Sequence, residues 1–96
     1  MPKATLLFRF KQSLPGGKIV EVVVWLLSEP LPGSGHLFKY RLYYGLADGT
    51  CIVRYDNERG KGDHKHVNGK EQPYEFKDVD TLQADFQADI RRHGER

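Results

Sequence analysis

From position 4 the chain alternates, with Leu6, Phe8 and Phe10 on one side of an extended segment and Thr5, Leu7, Arg9 and Lys11 on the other. That two-residue period predicts a half-buried strand. Leu14-Pro15-Gly16-Gly17 supplies a turn, and the β-branched run Lys18 to Leu27 follows. On this second strand Val20, Val22, Val24 and Leu26 form one apolar face. Ile19, Val23, Trp25 and Leu27 nearly fill the other, where only Glu21 is charged. Such a strand belongs inside a sheet. The next eight residues, S-E-P-L-P-G-S-G, hold two Pro and two Gly and read as an exposed connection.

Alternation resumes from His36 to Leu46, with Phe38, Tyr40, Leu42 and Tyr44 opposite Leu37, Lys39, Arg41 and Tyr43. Asp48-Gly49 predicts a type I′ turn into a fourth strand, Cys51 to Tyr55. Asn68-Gly69 predicts another turn, pairing Lys65 to Val67 with Lys70 to Gln72 as a small polar hairpin that Pro73 limits. From Asp78 the period lengthens: Val79, Leu82, Phe86 and Ile90 form a helical stripe. Asp78 or Asp80 marks its start, Asp80 with Gln83 resembling a capping box, and Arg91, Arg92, His93 and then Gly94 mark its end. A one-striped helix must bury that stripe, and the apolar sheet face is the available partner. The expected architecture is a single-domain α+β fold, an antiparallel sheet of four to five strands in meander order with one C-terminal helix packed on one face.

Length and composition narrow the function classes. At 96 residues there is room for one hydrophobic core, and 39% apolar with 29% charged residues suits a soluble globular domain. The apolar run from Ile19 to Leu27 falls well short of the roughly 20 residues that span a bilayer. The opening M-P-K-A-T-L-L-F-R-F lacks a signal-peptide core. No membrane association is expected, and the expected compartment is the cytoplasm. The lone Cys51 cannot form an internal disulfide and reads as a small strand residue. A net charge of +2 hides a local pattern. Arg9, Lys11, Lys39, Arg41 and Arg54 fall on the sheet face away from the helix, among Trp25 and Tyr43. That is an ordinary solvated face, or one able to accept a nucleic-acid strand by phosphate pairing and base stacking.

The densest chemistry lies at Tyr55 to His66, Y-D-N-E-R-G-K-G-D-H-K-H, with three carboxylates, two His, three cationic side chains and two Gly. By composition alone it is a connecting loop. His64 and His66, one residue apart, share a side of any extended segment. They can exchange protons near neutral pH, bind a metal, or help Asp56 and Glu58 hold the loop's shape. RNA cleavage through a 2′-hydroxyl needs a base, an acid and cations for the phosphorane charge. His64, His66, Arg59, Lys61 and Lys65 supply those types, and Gly60 and Gly62 permit close backbone approach to a phosphate. One Cys and four His without a C-x-x-C do not make a usual zinc site, and Asp56, Glu58 and Asp63 lack calcium-loop spacing. No Gly-rich nucleotide motif occurs. Hence no metal and no cofactor are expected.

This run is preceded by K-Y-R-L-Y-Y-G and followed by P-Y-E-F. With the early V-V-V-W-L-L-S-E-P-L-P-G-S and the closing L-Q-A-D-F-Q-A-D-I, it resembles the TumE family of small bacterial toxin components of toxin–antitoxin pairs, across most of the chain. The resemblance implies a type II toxin with a cognate antitoxin protein, acting on RNA as a ribonuclease or by blocking translation; the residue types make such a ribonuclease metal-independent. The alternative is a non-catalytic nucleic-acid- or protein-binding module neutralised by its partner. Tyr55, Asp56, Asn57, Glu58, Gly60, Lys61, Gly62, His64 and His66 carry the match. Read this way, His64, His66, Lys61 and Glu58 are the catalytic candidates. Arg59, Lys65, Arg41 and Arg54, with Tyr55, Asp56, Asn57, Gly60 and Gly62, are the candidates for substrate contact. An exposed edge, the first strand or the polar hairpin, is available for homodimer pairing.

Overall fold

The computed structural model describes residues 3–93. Six strands form one antiparallel meander sheet: β1 (Ala4–Leu14), β2 (Lys18–Leu27), β3 (Phe38–Leu46), β4 (Cys51–Glu58), β5 (Gly62–Val67) and β6 (Lys70–Pro73). The helix α1 (Val79–His93) follows. The α+β class, meander order and C-terminal helix agree with the sequence pattern; the strand count does not. The expected four to five strands are six because both arms of the polar hairpin join the sheet, as β5 and β6, and Tyr55–His66 is no loop. Its residues extend β4 to Glu58 and begin β5 at Gly62, leaving a short turn in which the Lys61 amide donates to the Glu58 carbonyl at 3.1 Å. Hydrophobic periodicity is blind to such a hairpin, because polar residues occupy most of both faces.

Two finer expectations also change. A bulge between Leu6 and Phe8 puts Leu6 opposite Trp25 while Phe8 and Phe10 lie opposite Val24 and Val22, so the three do not share a face. At Asp48-Gly49 only Gly49 has positive φ, and the strands meet with a register shift between Tyr44 and Gly45, which rules out the type I′ turn. Asn68 and Gly69 both have positive φ, as type I′ requires.

The core lies between α1 and one sheet face. Val20, Val22, Val24, Tyr40, Leu42, Tyr44, Val53 and Tyr55 meet Leu82, Phe86 and Ile90 there, with Val79 packed at the margin. Asp78 caps the helix, its carboxylate accepting from the Thr81 amide at 2.6 Å, so the Asp80–Gln83 box is not the start. The expected Gly94 terminus lies outside the described residues.

Polar anchors fix the helix to β4 and β5. Tyr55 donates its hydroxyl to Asp89, and Lys65 Nζ reaches the same carboxylate oxygen at 3.0 Å. Tyr74 donates to Asp85 at 2.6 Å. Burial pushes the Asp89 carboxyl up, but the hydrogen bonds from Tyr55 and Lys65, the Lys65 charge and His93 outweigh it and hold it below the ordinary carboxylate range. A depressed folded pKa means stability present above the unfolded value of about 3.9 and lost as pH falls through the folded one. Thermal melts from pH 7 to pH 2 should therefore show Asp89→Asn well below the wild type at neutral pH, with the gap closing below about pH 4. A constant gap would mean that the Asp89 charge is not what anchors the helix.

Candidate functional site

Strand register decides which of the polar side chains meet. Because side chains alternate between faces, the strand residues 55–58 and 63–66 divide into two sets. Tyr55, Asn57, Asp63 and Lys65 turn to the helix side, while Asp56, Glu58, His64 and His66 turn to the outer face. On that outer face, cross-strand partners line up in two neighbouring rows. One runs Arg9, Val23, Arg41, Asp56, His64; the other runs Lys11, Glu21, Tyr43, Arg54, His66, Glu71. Trp25 pairs with Lys39 beside them. The expected basic face with Trp25 and Tyr43 is thus present, although Tyr43 is only 5% exposed and covered by Arg41, whose guanidinium carbon sits 5.2 Å from the ring centre.

Both rows end in a compact cluster. His64 Nε2 lies 2.6 Å from Asp56 Oδ1, and Arg54 Nε lies 3.2 Å from Asp56 Oδ2. Glu71 Oε1 stands 3.4 Å from His66 Nε2 and 3.8 Å from His64 Nε2. The two imidazoles meet edge to face with centres 5.3 Å apart. His64 is 5% and Asp56 8% exposed, while the Glu71 side chain is half exposed and forms the open side. A cleft of about 270 Å³, lined by Lys61, Asp63, His64, Glu71, Gln72 and Pro73, opens beside it.

Proximity is not pairing here. Despite the short contacts, Asp56 Oδ1, His64 Nε2, His66 Nε2 and Arg54 Nε are buried and make no hydrogen bond among the described residues. The angles fail where the distances succeed. Geometry is the stricter criterion, since a hydrogen bond weakens steeply once its donor points away.

The remaining sequence candidates lie outside this cluster or make other contacts. Tyr55 and Lys65 hold Asp89. Asn57, 2% exposed, accepts from the Tyr40 amide at 2.9 Å and donates to the Phe38 carbonyl at 2.7 Å, continuing the β3–β4 pairing beyond its ladder. Gly60 donates its amide to the Pro32 carbonyl at 2.7 Å, and a Cβ on Gly33 would press against Gly60, so the 28–37 connection rests on the β4–β5 turn. Glu58 and Arg59 are exposed at that turn; Lys61 reaches Glu71 at 3.8 Å. Arg41 pairs at 3.3 Å with Glu21. Burial pushes the Cys51 thiol up, which does not suit a nucleophile.

Sequence reasoning missed Glu71 and a second polar group on the helix side. His36 Nδ1 accepts from the Phe38 amide at 3.1 Å, which puts the proton on Nε2, 2.7 Å from Asp63. Tyr40 donates to the same Asp63 oxygen at 2.6 Å, and Phe76 stacks on His36 with centres 3.9 Å apart. This group ties the 28–37 connection to β5. The missing signal for Glu71 was register: a His-x-His strand followed by a two-residue turn faces whatever the next strand presents.

Among the described residues no helix is long and apolar enough to cross a membrane. A family model described as Toxin TumE matches residues 3–93. No curated protein and no solved structure matches the chain.

Proposed function

This chain belongs to the TumE toxin family, and on that premise we propose that it acts on RNA at the outer sheet face, with Asp56, His64 and His66 as the reacting centre. The observation that carries this reading is the pair of cross-strand rows, which lead from Arg9, Lys11 and Arg41 straight into the cluster. A single strand laid along them meets the cations of Arg9, Lys11 and Arg41 for its phosphates and the half-buried Trp25 beside the rows for stacking. Its scissile phosphate then sits beside the two imidazoles, with Lys61 at the neighbouring turn available for the charge that develops there. The same reading gives the protein a cognate antitoxin protein, in the manner of a type II pair, that blocks access to this face.

The test is an assay of the purified chain with total RNA in buffer containing divalent cation, read for cleavage and for binding across a salt series. Cleavage products are expected, and they stop when the antitoxin is added. Arg9→Ala with Lys39→Ala should weaken binding and reduce the log–log salt slope by about 0.7 per cation removed. Intact RNA with salt-sensitive binding would replace catalysis by a blocking role. Intact RNA without binding would overturn the reading altogether.

A further inference from the structure

The polar cluster presents an electrostatic problem that the protein's own residues do not solve. His64 Nδ1 faces the Gly62 carbonyl at 3.3 Å, a contact that only a protonated Nδ1 makes favourable. His64 Nε2 lies 2.6 Å from Asp56 Oδ1, yet both atoms are buried and neither has a hydrogen-bond partner among the described residues. His66 Nε2 is a third buried, unbonded atom in the same place, and the three donor atoms all lie within 4.8 Å of one another. Unpaired buried polar groups are costly, more so when charged. Three converging on one point call for a positive charge at that point.

We propose that Asp56, His64 and His66 form a binding site for a divalent transition-metal ion, with Glu71 as a fourth donor on its open side. Donors about 2.1 Å from a shared ion stand roughly 3–4 Å apart, which small side-chain rotations reach from the present positions. Two imidazoles and a carboxylate select a borderline ion of the zinc type over magnesium or calcium, which prefer oxygen. The outer contacts suit this use as well. A ligating His commonly donates its other N–H to a backbone carbonyl, as His64 does to Gly62, and the Arg54 guanidinium stands 3.2 Å from the second Asp56 oxygen as a neighbouring charge without a hydrogen bond. Register supplies the preorganisation: Asp56 and His64 are direct partners on β4 and β5, and His66 follows two residues on. Nothing in this site requires RNA to be the substrate.

The experiment strips the full-length protein with EDTA, then titrates it with Zn2+ by calorimetry and with Co2+ by visible absorption. One ion per chain, a Co2+ spectrum of imidazole and carboxylate ligation, and a Tm that rises with Zn2+ concentration are expected. Asp56→Asn and His66→Ala should each weaken binding by at least about 100-fold, whereas His93→Ala at the helix end leaves it unchanged. Should either variant misfold, Glu71→Gln at the exposed rim should still weaken binding with the fold intact. Absence of stoichiometric binding, or binding undiminished in all three site variants, overturns the proposal. An ion bound at these residues beside uncut RNA would sink the RNA reading and leave the site standing. RNA cut equally in EDTA, with no ion bound, would do the reverse.

Discussion

Replacing His64 by alanine is expected to lower RNA cleavage and growth inhibition by about 10²–10⁴-fold, the range for removing a group that acts on a proton or charge at the reacting bond. Replacing its neighbour Lys65 by alanine is expected to leave cleavage near wild type and to lower thermal stability instead. The two residues adjoin in sequence and point to opposite faces. His64 faces Asp56 in the outer cluster, whereas Lys65 lies beneath the sheet with its ammonium on Asp89. Removing Lys65 leaves a carboxylate that is 4% exposed with Tyr55 as its chief remaining donor, a cost borne by the helix anchor and not by the cluster. Cleavage assays and melts on both variants, with circular dichroism to confirm the fold, decide the matter. A Lys65→Ala protein as inactive as His64→Ala at wild-type stability would show that the faces are not divided as described.

Phe86→Ala is expected to cost about 3–5 kcal/mol. The ring is 1% exposed, packs edge to face on Tyr55 with centres 5.8 Å apart, and lies between Leu82 and Ile90 in the only stripe the helix buries. A 15-residue helix is marginal alone in water, so α1 persists through this stripe and its polar anchors. Against a total stability of about 5–15 kcal/mol such a loss is severe, and for a chain of this size it lowers Tm by at least about 12 °C. Denaturant titration measures it directly; a loss under about 1 kcal/mol would mean that the helix does not seat on the sheet through Phe86. The same variant should also weaken activity near its own melting temperature, because β4 carries Tyr55 toward the helix and Asp56 toward the cluster.

Much of the fold was legible because its signals are local. Alternation in β2 and β3, the Asn-Gly turn and the Val79–Leu82–Phe86–Ile90 stripe each follow from a period or a backbone preference that a few neighbouring residues express. The central hairpin was not legible. Asp56, Asn57, Glu58, Asp63 and Lys65 satisfy the composition of a loop, and only their partners make them strands: Asn57 closes onto β3, and Lys65 onto the helix.

The candidate site divides along the same line. That His64 and His66 share a side needs only an extended backbone, so sequence alone determined it, together with the basic character of the outer face. That Asp56 stands opposite His64, that Glu71 closes the cluster from β6, and that Tyr55, Asn57 and Lys65 face away were decided by tertiary structure. The physical reason is register. A shift of one residue in the β4–β5 pairing would exchange the two faces and dissolve the cluster, and that pairing is set by contacts with β3, α1 and the 28–37 connection, all distant in the chain.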